Sequence, residues 1–78
     1  MNDILEDLNV VFRKTFHNPE IKLLPESTFH DVEGWDSMGH FEIVVAVEEH
    51  FSIKIKSEEI RKIKAIKDFV QIIKSRKA

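Results

Sequence analysis

Asp36 and Ser37 stand side by side after Gly34-Trp35, and His40 follows Ser37 by three residues, close to one helical turn. A serine hydroxyl with an imidazole one turn away is the skeleton of a nucleophile and its base. No third group orients the imidazole, and a chain of 78 residues buries one small core with little room for a water-excluding pocket. An enzyme is therefore not expected, and no residue is assigned a catalytic role. Metal chemistry fares no better. Asp31, Glu33, Asp36 and Glu42 fall at positions 1, 3, 6 and 12 of a calcium-loop template, but Trp35 stands where a ligand is wanted and Asp36 where glycine is. His17, His30, His40 and His50 lack the paired spacing of a zinc site and have no cysteine to assist them. His40 reads as a residue at the edge of a core.

What remains for Ser37 is its position. If a helix begins there, orphan N–H groups and the positive end of the helix dipole converge on it, a favourable setting for a phosphate ester on its hydroxyl. Local physics alone leaves the plainer reading open, since many serines at helix starts only cap. Asp36 is the better cap candidate, because its carboxylate can accept an orphan N–H and meets the dipole favourably.

Composition sets the frame that must position these residues. With 42% hydrophobic and 33% charged residues but only two glycines and two prolines, the chain reads as one ordered, all-helical domain over residues 1–78. The absence of cysteine rules out disulfide staples and thiolate metal sites. The longest apolar run falls far short of a membrane span and the start, MNDILEDL, is acidic where a signal peptide is basic, so a cytoplasmic protein is expected. Charge is unevenly spread: residues 1–53 carry 3 Lys and Arg against 11 Asp and Glu, and residues 54–78 carry 9 against 3. The basic end interleaves its lysines with Ile63, Ile66, Phe69, Val70 and Ile73, which makes them the solvated side of an amphipathic pattern; no nucleic acid partner is expected.

Periodicity supplies the elements. Ile4, Leu5, Leu8, Val11, Phe12 and Phe16 recur at three and four and predict a helix over roughly residues 3–17, capped by Asn2 or Asp3. From His17 to Asp36 the pattern dissolves into a long loop broken by Pro19, Pro25 and Gly34, with Leu23, Leu24 and Phe29 as expected anchors. A second helix runs from Ser37 to about Phe51. Ser57, as a cap, followed by Glu58 and Glu59 opens a short third helix ending near Lys62, and a fourth covers about Ile66 to Ser75. The predicted architecture is a small four-helix bundle with a long loop between helices 1 and 2 and a short third helix.

At 100° per residue the second helix has two apolar sides. His40, Ile43, Val44, Val47 and Phe51 form the core side. Met38, Phe41 and Val45 form an opposite strip flanked by Glu42, Glu48 and Glu49. A chain this short cannot bury both, so the second strip is expected to face water, where apolar contacts and an acidic rim suit transient docking of a basic partner.

The stretch GWDSMGHFEIVVAVEEHF resembles the acyl carrier proteins, whose Asp-Ser-Leu motif opens the second helix of a four-helix bundle. The likeness extends over nearly the whole chain, including STFHDVEGWDSM in the loop, the VEEHF helix end, the short third helix and the closing fourth. It implies a carrier: a phosphopantetheinyl transferase (holo-carrier synthase) moves 4′-phosphopantetheine from coenzyme A to Ser37, and the terminal thiol holds acyl groups as thioesters. Asp36 matches the acidic residue that helps position the transferase and its magnesium ion. Met38, Phe41, Glu42, Val45, Glu48 and Glu49 match the partner-recognition face, for loading ligases and for acyltransferases or synthases of fatty-acid or specialised lipid, polyketide or cell-surface biosynthesis. A monomer making brief enzyme contacts is expected.

The chain departs from the family at several points. Met38 replaces leucine, Gly39 and His40 replace an acid and a small polar residue, and SEEIRKIK is more basic than its counterpart in fatty-acid carriers. Gly39 costs about 1 kcal/mol of helix propensity relative to alanine, which would loosen the first turn or make room for the arm. Two alternatives stay open: a peptidyl or D-alanyl carrier with an aminoacyl cargo, and a helical adaptor that docks through the same strip and carries no covalent group.

Overall fold

The computed structural model describes residues 3–77, with only the backbone of Lys77. Met1, Asn2 and Ala78 lie outside the described residues, and with them the alternative cap at Asn2. Helices α1 (Ile4–Thr15), α2 (Ser37–Phe51), α3 (Ser57–Lys62) and α4 (Ile66–Lys77) follow in that order. The all-helical reading holds, and each helix start predicted from periodicity falls within a residue of the observed one.

Asp3 caps α1 by accepting the Leu5 N–H at 3.0 Å, and Glu6 and Asp7 in the first turn and Arg13 and Lys14 in the last complement the dipole. Leu8, Val11 and Phe12 from α1 meet Ile43, Val44 and Val47 from α2 and Ile66, Phe69 and Ile73 from α4. Phe12 is the hub of an edge-to-face ring network, with ring centroids 5.3 Å from Trp35 and 6.0 Å from Phe69. Such pairs add about 0.5–1.5 kcal/mol each beyond the area they bury.

The long loop is fastened from both sides. Along α1, the Arg13 guanidinium donates to the Ile21 carbonyl at 2.7 Å and the Leu23 N–H donates to Asn9 Oδ1 at 2.8 Å. Against the start of α4, Ile66 N–H donates to the Ser27 carbonyl and Lys67 N–H to the Pro25 carbonyl, beside an isolated bridge between Thr28 and Ala65. Of the expected anchors, Leu23 is buried and Phe29 packs on the core, but Leu24 is 57% exposed. Burial alternates from Ile21 to Leu24, so neighbouring residues point to opposite sides and only one of the two leucines reaches the core. Ile21, Val32 and Trp35 are the further loop residues that do.

One cap differs from expectation in detail. Ser57 is the first residue of α3 rather than its cap; Glu59 reaches back and accepts the Lys56 N–H at 3.0 Å. α2 ends on Ser52 in the left-handed region at φ 55°, and Ile53 and Ile55 then bury their side chains on the way to α3. The six residues of α3 include none that is buried. It is held by flanking Ile63, by half-buried Ile60, and by an ion pair between Glu59 and Arg76 of α4.

Candidate functional site

The turn that presents Ser37 is built from Gly34, Trp35, Asp36, Gly39 and His40. Asp36 is the N-cap of α2: its Oδ1 accepts the Gly39 N–H at 2.8 Å, and its carbonyl accepts the His40 N–H at 2.8 Å. Ser37 itself is exposed as the first residue of the helix. Its hydroxyl is therefore open to solvent at the positive end of a fifteen-residue helix, a place that tolerates a phosphate diester without burying its charge.

Gly39 is explained by what approaches it. A Cβ at this position would lie 2.0 Å from the carbonyl oxygen of Gly34 and 3.1 Å from the ring of Phe16. The turn before the serine packs backbone against backbone on the first turn of α2, and that approach, on the buried side of the helix, accounts for the glycine. It makes room for the Gly34 carbonyl, and the loosening considered from propensity alone is offset by this contact. Gly34 holds φ at 96°, a conformation that suits glycine.

Trp35 is 1% exposed, with its ring 4.5 Å from that of Phe29. Its indole N–H donates to His40 Nδ1 at 3.0 Å. The other ring nitrogen of His40 lies 2.9 Å from the Ile60 carbonyl in α3. Indole nitrogen only donates and a carbonyl only accepts, so the pair of bonds requires the neutral imidazole with its proton on Nε2. His40 is thus fully satisfied, on the core side where the helical wheel places it and, at 9% exposure beside the groove between α2 and α3, at the edge of the core as read from sequence. Its partnership with Trp35 was not readable from sequence; an imidazole on an otherwise apolar helix face was the available signal, since a buried polar ring needs partners.

On the outer side of α2, Met38 is 80% exposed, Phe41 65% and Val45 52%. Glu42 and Glu49 are exposed beside them. Glu48 is different: it is half-buried and its Oε2 accepts the Ile55 N–H at 2.8 Å, which fastens the α2–α3 connection. Met38, Phe41 and Val45 thus form an apolar strip between Asp36 and Glu42 at one end and Glu49 at the other. Across the seam with α3, a shallow groove of about 390 Å³ is floored by Phe29, Ile60 and Ile63 and rimmed by His30, Arg61 and Lys64. No group of histidines and carboxylates with metal-ligating geometry forms among the described residues, and no helix among them is long and apolar enough to cross a membrane.

Comparison with known proteins gives this arrangement a context. No family model matches the chain. An acyl carrier protein of Helicobacter hepaticus is 37% identical over 75 residues, 96% of this chain and 99% of that protein. One from Wolinella succinogenes is 39% identical over 74 residues, 95% of this chain and 87% of that protein. The solution NMR structure of a holo acyl carrier protein from Geobacter metallireducens superposes with a TM-score of 0.85 at 30% identity, over 92% of this chain and 83% of that one.

Proposed function

The chain belongs to the acyl carrier protein family, and on that premise we propose that Ser37 is the point at which 4′-phosphopantetheine is attached. The protein is a carrier rather than an enzyme. The observation that supports the attachment point is the exposed Ser37 hydroxyl at the capped start of α2. It fits a phosphodiester on three grounds: it is open on the solvent side, it stands at a helix N-terminus, and its turn is held from behind by Asp36, Gly39 and the buried Trp35. The likeness to a protein solved in a holo form points the same way. When attached, the group supplies the thiol that a chain without cysteine lacks, on which an acyl cargo is held as a thioester.

The residues of the chain itself divide the work. Asp36 orders the first turn, so Ser37 is offered to the transferase in one place. Met38, Phe41 and Val45 provide the apolar contact that a short-lived complex needs, and Glu42 and Glu49 steer basic partner surfaces toward it. Glu48 belongs to this face by position, while its carboxylate braces the chain entering α3. The partners proposed are the transferase, a loading ligase and the acyltransferases or synthases of fatty-acid or specialised lipid, polyketide or cell-surface biosynthesis. An aminoacyl cargo would make the same chain a peptidyl or D-alanyl carrier, a choice made by the loading enzyme.

Intact mass after incubation with coenzyme A, magnesium and a broad-specificity phosphopantetheinyl transferase tests the reading. One phosphopantetheine is gained by the parent chain and none by Ser37→Ala. No gain by the parent with several such transferases would overturn it in favour of an unmodified adaptor.

A further inference from the structure

The function proposed above uses Ser37 and the outer side of α2, and leaves the most buried titratable side chain near the serine without a role. His40 lies three residues after Ser37, at 9% exposure, enclosed by the rings of Phe29 at 5.3 Å, Trp35 at 6.2 Å, and Phe41 and Phe69 at 6.4 Å. Filling this space with hydrocarbon would avoid the cost of desolvating an imidazole, which is offset only when both nitrogens are bonded. Both are, and to different segments: Nδ1 accepts from Trp35, two residues before the serine, and Nε2–H donates to the carbonyl of Ile60 in α3.

α3 needs such a bond. Six residues are too few to hold a helix on their own, and none of them is buried. The ion pair of Glu59 with Arg76 ties α3 to α4, and the bond from Ile55 to Glu48 acts on the chain before α3. Of these polar ties, the one from His40 joins α3 itself to the turn that bears Ser37. It sets where Arg61 and Lys62, exposed on α3, stand relative to the serine.

We propose that His40 is a positioning residue for the modification of Ser37: it latches α3 to the first turn of α2, so that a transferase meets the serine, the acid-rimmed apolar strip of α2 and the cationic edge of α3 as one preformed surface. This rests on Ser37 being the attachment point. A loose α3 would have to be ordered at each encounter, and that ordering cost appears in binding rather than in the chemical step.

The test compares four full-length chains: the parent, His40→Phe, His40→Gln, and Val47→Ala. Phenylalanine fills the space without either bond, glutamine can both accept and donate, and Val47→Ala weakens the core away from the latch. Apo-protein kinetics with the transferase, well below every unfolding midpoint, should show KM for the carrier raised about fivefold by His40→Phe with kcat nearly unchanged. His40→Gln should restore most of that loss, and Val47→Ala should leave KM at the parent value. Equal KM for His40→Phe and the parent, or equal increases in His40→Phe and Val47→Ala, would overturn the proposal. Amide hydrogen exchange keeps the two questions apart. If the parent is not modified at all, the attachment reading fails; the latch then stands only if His40→Phe speeds exchange at Ile60 and Ile63 selectively, and falls if exchange rises throughout the chain or nowhere.

Discussion

The carbonyl oxygen of Gly34 occupies the space that a side chain on Gly39 would need, 2.0 Å from where the Cβ would stand. Two effects oppose each other in Gly39→Ala. Helix propensity favours alanine by about 1 kcal/mol. Overpacking costs about 1–3 kcal/mol, at the upper end here because the obstacle is backbone rather than the end of a flexible side chain. The clash wins, and urea unfolding followed by circular dichroism should show a net loss of about 1–2 kcal/mol. A variant more stable than the parent would mean that the Gly34 turn yields freely.

Asp36 contributes to the fold as the cap of α2. Removing its bond to the Gly39 N–H in Asp36→Ala should cost about 1 kcal/mol of stability, and Asp36→Asn should recover most of it, because an amide oxygen also caps. If the transferase uses the charge of Asp36 as well, Asp36→Asn should still be modified more slowly than the parent at equal stability. Equal rates for the two would confine Asp36 to the capping role.

The acidic residues of α2 should separate by experiment. Glu42→Lys and Glu49→Lys are changes to exposed side chains and should leave stability within about 0.5 kcal/mol, while weakening transferase binding more at low salt than at high. Glu48→Lys removes the acceptor of the Ile55 N–H and should cost about 1–3 kcal/mol in addition. Salt-independent binding defects in Glu42→Lys would count against electrostatic docking, and an undiminished midpoint in Glu48→Lys against the brace.

Acid should loosen α3 first. The Lys56 N–H, and after it the Arg76 guanidinium, hold the Glu59 carboxyl below the usual carboxylate range. A group whose folded value is depressed gives its full stabilisation above its unfolded value and loses it as pH falls through the folded one. Protection of the α3 amides, taken relative to the intrinsic exchange rate at each pH, should therefore fall as the solution is taken from neutral to below the usual carboxylate range, and Glu59→Gln should flatten that dependence. A Glu59→Gln profile that overlays the parent would assign the acid response to other carboxylates.

Helix positions and the exposed strip were legible because they depend on local period alone: Met38, Phe41 and Val45 fall on one side of any helix starting at Ser37. The Ser37 turn was legible through its motif. The loop was harder to read. Leu23 and Leu24 are equivalent by composition, and the selection of Leu23 follows from Asn9 of α1 accepting its N–H, a contact fourteen residues away in sequence. Gly39 carried a visible cost in propensity, but its cause lies in a turn that folds back onto it. Glu48 had the pattern of a rim charge, and became a brace only once the chain after Ser52 returned along α2.

The burial of Trp35 has an optical consequence. It is the one tryptophan of a chain without tyrosine, sealed at 1% exposure two residues before the serine. Excited at the red edge of protein absorption, the molecule emits from a single place, an apolar pocket one hydrogen bond from His40. Its emission colour therefore reports the integrity of the serine turn, and needs no dye to do so.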